Sequence, residues 1–233
     1  MVMADKRIAG IDEAGRGCVI GPMAVAGVLV DEEGLAKLIE IGVRDSKTLS
    51  PQARERLASH IRSAALAYRV VLVQPDEIDR AVVRGALNRL EASIMAKIIC
   101  ELCPDVVYVD ASDVVESRFA YMICARLPGD LDIQVIAEHE ADARYPIVSA
   151  ASILAKVERD RAISELKQEI GIDFGSGYPT DPKTIAFLRK WCEEHKCLPD
   201  FVRKSWRTAR RAIADALTAK LDMWRKREAG SSC

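Results

Sequence analysis

The stretch that most constrains this chain is Ile8–Gly21, IAGIDEAGRGCVIG. It opens as an apolar strand and ends on two adjacent carboxylates, Asp12 and Glu13, followed at once by Gly15-Arg16-Gly17. Carboxylates on a buried strand are costly to desolvate unless something pairs with them. A glycine turn beside them lets backbone approach a ligand closely. Together they point to a metal site beside a phosphate-binding loop, and the rest of the chain is expected to complete it.

A second apolar, β-branched run, Met23–Asp31, follows within a short connection, which predicts an antiparallel hairpin with Arg7–Ala14. Further strands are expected at Tyr68–Gln74, Asp105–Asp110 and Asp132–Ala137. Gly34–Ile41 reads as a short helix. Ser50 is a good N-cap with Pro51 at the first helical position, for a helix running to about Ala67. Leu87, Leu90, Ile94, Ile98 and Leu102 keep helical spacing, so Arg84–Cys103 is an amphipathic helix ended by Pro104. Val114–Arg126 is expected to be helical, and a long helix is expected from about Arg144 to Ile170. The start of that helix, IVSAASILAKV, is small and apolar nearly all round, which suits close packing on a sheet. The glycine- and proline-rich run Gly171–Pro182 is the clearest break, with Tyr178 in its middle. Asp181-Pro182 opens another helix to about His195, and a last amphipathic helix is marked by Trp206, Ile213, Leu217, Leu221 and Trp224. The pattern is α/β: a mixed five-stranded sheet flanked by helices, with a small helical C-terminal subdomain. The expected division is a catalytic domain over 1–175 and a helical subdomain over 176–233.

Asp12 and Asp110 both end apolar strands, where ligand crevices of α/β sheets lie. Glu13 alternates to the other face of an ideal strand and joins them only if the strand bends. Asp142 precedes the long helix, whose dipole favours an anion. Four converging carboxylates repel one another, and divalent cations remove that penalty. Hard oxygen ligands select Mg²⁺ or Mn²⁺ over zinc. Two such ions roughly 3.5–4 Å apart would clamp the attacking and leaving oxygens of a phosphodiester.

Charge agrees with that chemistry. Net charge is −1, yet from Asp200 onward nine Lys/Arg face four Asp/Glu, a net of +5, which leaves 25 against 31 elsewhere. A basic end beside an acidic body suits a polyanion partner. Arg203, Lys204 and Arg207 open a run to Arg211 that holds five cations and no acid, expected to lie along nucleic-acid backbone. Lys47, after Ser46, is a candidate phosphate contact. His139 is a candidate for a helix-capping, supporting or proton-relay role near Asp142. The start, MVMADKR, has no signal-peptide core, and no run reaches the roughly 18 apolar residues that span a bilayer, so a cytoplasmic protein without membrane contact is expected. Of the seven cysteines, Cys100, Cys103, Cys192 and Cys197 with His195 are weighed as a zinc site. The reading is disfavoured because the spacing around His195 is not a standard one and Cys100 and Cys103 sit on a helical pattern.

IDEAGRG, DSKTLS, the YVD strand end, EHEADARYPIVSAASILAKVERDR and GSGYPTDP together resemble ribonuclease HII in its compact archaeal-type form, from about Ile8 to Pro182. The resemblance implies an RNase H-like fold and Mg²⁺- or Mn²⁺-dependent endonucleolytic cleavage of RNA in RNA–DNA hybrids. It also implies incision 5′ of a ribonucleotide embedded in duplex DNA, leaving 3′-OH and 5′-phosphate ends. The family's acidic ligands fall on Asp12, Glu13, Asp110 and Asp142, its ribose-sensing turn on Gly15, Arg16 and Gly17, and its sugar-contacting tyrosine on Tyr178. Cys18 stands where the family usually has proline, so a somewhat looser turn is expected. A monomer is expected. A sliding clamp is a conceivable partner, although the tail shows no clear clamp-binding peptide. The rivals are another nuclease of the same superfamily, which would not need the glycine turn or Tyr178, and a non-catalytic hybrid-binding module, against which the four intact acids argue.

Overall fold

The computed structural model describes residues 6–43, 50–129 and 131–230, with side chains as far as 218. Five strands form one mixed sheet in the order β3-β2-β1-β4-β5: β1 Ile8–Ala14, β2 Met23–Val30, β3 Ala67–Val73, β4 Val106–Asp110 and β5 Gln134–Glu138. The hairpin expected between the first two strands is present, with β1 antiparallel to β2 and β2 antiparallel to β3. On its other side β1 pairs in parallel with β4, and β4 in parallel with β5.

The chain packs as two compact units. The first comprises Met1–Arg16, Met23–Val73 and Ala86–Arg161 and holds the sheet. Every residue of β2 is buried, as a strand covered on both faces requires. One face carries Ala24, Ala26, Val28 and Val30 into a core with helix α2 (Pro51–Ala64) and the start of α7 (Pro146–Ile170). The other face is covered by α4 (Leu87–Leu102): a Cβ added at Gly27 would meet Ile98 and Leu102 side chains. The small-residue start of α7 allows the close approach that its sequence predicts. A Cβ built on Gly10 would lie 2.4 Å from the carbonyl carbon of Ile147, so backbone meets backbone there.

The second unit comprises Gly17–Pro22, Gln74–Gly85 and Ala162–Cys233. It contains α3 (Pro75–Val83), the end of α7, α8 (Pro182–His195) and α9 (Arg207–Gly230). Val19, Ile20, Ile163, Phe174, Phe187 and Leu188 lie in its core.

Caps set several boundaries. Asp31 Oδ1 accepts from the Gly34 amide at 2.8 Å and opens α1, Glu32–Glu40. Ser50 Oγ accepts from Ala53 N at 3.2 Å and opens α2 as expected. Several elements differ from the sequence expectation, among them three with a physical reason or a clear extent. Helix α3 is additional; its signal, Pro75 in the first turn with Asp76 and Glu77, is an ordinary helix start. The long helix begins at Pro146, after a separate one-turn helix α6, Ala141–Arg144, because Tyr145 before the proline is extended. Helix α5, Glu116–Cys124, is shorter than its apolar pattern. Cys100, Cys103, Cys124, Cys192 and Cys197 are free thiols.

Gly10→Val is expected to destabilise the protein by about 1–3 kcal/mol through overpacking against α7. Urea unfolding checks this; a loss below about 0.5 kcal/mol, the usual effect of a neutral surface change, would contradict the close approach.

Candidate active site

Parallel pairing of β1 with β4 sets the site. The register that pairs Ile11 with Val109 brings Asp12 level with Asp110, each at the C-terminal end of its strand. Asp12 lies opposite Ala26, on the face that α7 covers, and is 5% exposed. Its Oδ1 accepts from the Glu13 amide at 2.7 Å. Ser152 of α7 also hydrogen-bonds the carboxylate, and Lys156, one turn on, donates from Nζ to Ser152 Oγ at 2.8 Å. Burial pushes the Asp12 carboxyl up to about 7; the charge of Asp110 adds to this, while Ser152, the Glu13 amide and Lys156 oppose it.

Glu13 keeps the regular register opposite Val25, so β1 does not bend to bring it round. It faces α4 instead, and the strand end presents one carboxylate to each face of the sheet. Burial raises its proton affinity well above the ordinary glutamate value, with Asp12, Glu91 and Asp110 adding and Arg16 opposing. Its Oε2 is shut away from solvent and accepts no hydrogen bond. Asp110 Oδ1 accepts from the Ala141 amide at 2.8 Å and thereby caps α6. Asp142 follows in the first turn of that helix.

Among the described residues no three His, Cys, Asp or Glu side chains are drawn together into a formed metal site. The donors nevertheless suit a hard divalent cation. They are carboxylate oxygens, Asp12 and Glu13 hold protons too tightly because of burial and mutual repulsion, and one buried oxygen lacks a partner. A cation bound there would relieve each of these costs.

The turn after β1 is fixed residue by residue. Gly15 has φ +82°, a backbone state that suits glycine. Arg16 Nε donates to Glu91 Oε1 and Arg16 Nη2 to Asn88 Oδ1, both at 2.7 Å and both on α4. Glu91 is fully buried. Sequence reasoning did not single it out, although an acid on the apolar stripe of Leu87, Ile94, Ile98 and Leu102 was a visible signal. Within the second unit, Gly17 O accepts from Trp206 Nε1 at 3.2 Å. Val19 and Ile20 amides donate to Gly177 O at 2.8 and 3.2 Å, and the Arg203 amide donates to Val19 O at 2.8 Å. Cys18 is completely buried. Hydrogen bonds therefore hold the residues on either side of Cys18.

Arg203 requires a correction. The sequence placed it among exposed backbone contacts, but it is fully buried. Its Nε donates to Gly21 O at 3.1 Å and its guanidinium lies 5.0 Å from the centre of the Trp206 ring. Burial in this small unit, not charge, decides its role. Lys204 stays at the surface, with Nζ 2.8 Å from Asp200. Arg207 and Arg211, one turn apart on α9, line a cleft of about 500 Å³ with Arg189 of α8. Arg189 was not singled out, because only the packing of α8 on α9 brings it there. The His139 amide donates to Glu116 Oε1 at 2.7 Å, and its ring Nε2 lies 3.3 Å from Val114 O. Ser46 and Lys47 lie outside the described residues.

Tyr178 sits 42% exposed on a rigid turn, outside the core of its unit. Gly175 and Gly177 have φ +82° and +80°. Asp181 Oδ2 accepts from both the amide and the hydroxyl of Ser176 at 2.6 Å, while Asp181 Oδ1 accepts from the Lys183 amide at 2.9 Å and caps α8. These contacts hold the Asp181 carboxyl at about 2, with the Ser176 side chain the largest cause. The Gly177 amide donates to Thr184 Oγ1 at 3.0 Å.

Among the described residues no helix is long and apolar enough to cross a membrane. A family model described as Ribonuclease HII matches residues 9–209. A curated protein named ribonuclease HII from Methanocella arvoryzae is 47% identical over 223 residues, covering 94% of this chain and 98% of the relative. The crystal structure of the ribonuclease H2 from Pyrococcus horikoshii superposes with a TM-score of 0.84 at 45% identity, covering 90% of this chain and 98% of that one. A structure of the PCNA:RNase HII complex from Archaeoglobus fulgidus gives 0.79 at 42%, covering 88% and 96%.

With no metal added, stability is expected to fall as pH rises from about 4 to about 7. Over that range folded Asp12 keeps a proton that an ordinary carboxyl, at 3.8, has already lost. Urea unfolding across that range checks this. Asp12→Asn should flatten the slope; an unchanged slope would contradict the raised proton affinity.

Proposed function

The chain belongs to the ribonuclease HII family, whose activity is ribonuclease H cleavage of RNA–DNA hybrids, and on that premise we propose a finer reading. The protein hydrolyses the RNA strand endonucleolytically and also incises 5′ of ribonucleotides embedded in duplex DNA. The products carry 5′-phosphate and 3′-OH ends, and the cofactor is Mg²⁺ or Mn²⁺. The observation that carries this reading is the pair of level, mutually repelling carboxylates, Asp12 and Asp110, at adjacent parallel strand ends, three residues before the Gly15-Arg16-Gly17 turn.

Asp12, Glu13, Asp110 and Asp142 would hold the metal, which when bound supplies an activated water and stabilises the charge on the leaving 3′-oxygen. The buried carboxylates must first give up their protons, and Ser152 with Lys156 favours that for Asp12. A ribose is told from a deoxyribose only by its 2′-OH, and the backbone groups of Gly15-Arg16-Gly17 are short and rigid enough to read it. The exposed Tyr178 ring packs on a sugar of the bound strand. Residues 1–175 carry the chemistry, and 176–233 help to hold the nucleic acid. There the arginines at 189, 207 and 211 meet phosphates, a contact that weakens steeply with salt. The Archaeoglobus fulgidus relative was solved with PCNA, and the reading extends to a PCNA-type sliding clamp as a partner.

A substrate panel tests the reading. The protein should cut an RNA–DNA hybrid with Mg²⁺ or Mn²⁺, stop when the metal is chelated, and leave an all-DNA duplex intact. DNA cut as fast as hybrid would contradict it, as would hybrid binding with no cleavage after metal is added. Asp110→Asn should reduce cleavage to background while the protein stays folded by circular dichroism. Tyr178→Ala should slow cleavage at a single embedded ribonucleotide more than on a continuous hybrid; an equal effect on both would remove Tyr178 from ribose selection.

A further inference from the structure

Glu91 lies in α4 with its side chain fully out of solvent. A buried carboxylate carries a desolvation cost of several kcal/mol unless well paired. Here the pairing has a direction. Oε1 accepts from Arg16 Nε at 2.7 Å. Oε2 accepts from Ser112 Oγ, two residues beyond Asp110 on the segment leaving β4. Asn88, one turn earlier on α4, repeats the arrangement. Its Oδ1 accepts from Arg16 Nη2 at 2.7 Å and its Nδ2 donates to Asp113 Oδ2 at 2.8 Å. Asp113 is held in turn by Arg118 and by the Val115 amide at 2.9 Å, which keep its carboxyl well below the usual range.

Each of these two side chains therefore has one arm on Arg16 and one arm on the segment after Asp110. The planar guanidinium engaged through Nε and Nη2 cannot swing without breaking both bonds, and a lysine could not reproduce the fork. Its length spans the distance from the glycine turn to α4.

We propose that Glu91 is a positioning residue for ribose selection: through Arg16 it fixes the Gly15-Arg16-Gly17 turn, and through Ser112 it fixes the same turn relative to the strand end that carries Asp110. Asn88 supports the same alignment. The proposal rests on the functional reading above and adds that Arg16 serves the turn's geometry through α4 instead of carrying a phosphate. The Glu91 charge also adds to the proton affinity of Glu13, so the alignment is read from the ratio of two affinities and from variants that keep that charge. What passes through Glu91 is the coincidence of the 2′-OH reader with the scissile phosphate.

The test is binding without turnover. Affinities are measured in Ca²⁺ for two duplexes of one sequence, one with a single ribonucleotide and one all-DNA. Mn²⁺ affinity of the free protein is measured by calorimetry. The wild type should prefer the ribonucleotide duplex. Glu91→Gln preserves shape but removes charge, and should cut that preference by about tenfold, the weight of weakening one charge-assisted hydrogen bond; Asn88→Ala, which leaves the Glu91 charge beside Glu13 in place, should also cut the preference, with Mn²⁺ affinity changed less than twofold. An undiminished preference would overturn the proposal. So would an equal loss on both duplexes with a parallel loss of Mn²⁺ affinity, which marks general loosening. If Glu91→Gln does not fold, Asn88→Ala and Ser112→Ala, each removing one arm, are judged by the same criteria. A wild type with no preference would instead sink the functional reading, and this inference with it.

Discussion

Everything in the site depends on the parallel pairing of β1 with β4. Antiparallel pairing of β1 with β2 sets up a hairpin, but only the parallel neighbour brings a second strand's C-terminal end to the same edge. Two apolar strands that each finish on an acid then place Asp12 and Asp110 side by side. Burial makes the arrangement electrostatically unfavourable on its own, a cost that a bound cation would relieve. Gly10 is part of the same constraint. Its missing side chain lets α7 press on β1, which puts Ser152 and Lys156 where they can favour the charged form of Asp12.

Residues of the turn that follows are held by different chemistry within each unit. Arg16 is gripped by an acid and an amide on α4. Gly17 and the residues after it are gripped by Trp206, by Gly177 and by Arg203. Under the proposed function, in which this backbone reads one hydroxyl group, such contacts would matter, since a flexible reader adapts to either sugar. The arginines divide by their surroundings: Arg16 and Arg203 are held by hydrogen bonds, while Arg189, Arg207 and Arg211 line a cleft.

Much of this was legible in the residues. Apolar strands ending in Asp12 and Asp110, the Ser50 and Asp181 caps, the amphipathic stripe of α4 and the small-residue face of α7 all follow local rules that tertiary structure did not override. The turns around Gly15 and Gly177 were legible too, because positive φ leaves few alternatives to glycine. What sequence did not reveal was partnership across the chain. Arg203 looks like its basic neighbours, and only the packing of a small core buries it. Glu91 looks like one more polar residue on a helix until Arg16, 75 positions away, is found beside it. Glu13 was expected to need a bent strand, whereas straight alternation already carries it to the α4 face, within electrostatic reach of Asp110.

The central claim is that the carboxylate pair and the glycine turn act together, so that the cut is placed by a single ribose. The most direct measurement is cleavage of duplex DNA carrying one ribonucleotide, with the cut position and end groups mapped at single-nucleotide resolution. The account predicts one incision, on the 5′ side of the ribonucleotide, leaving 3′-OH and 5′-phosphate ends. Cleavage scattered along the DNA, or a cut on the 3′ side of the ribonucleotide, would contradict it.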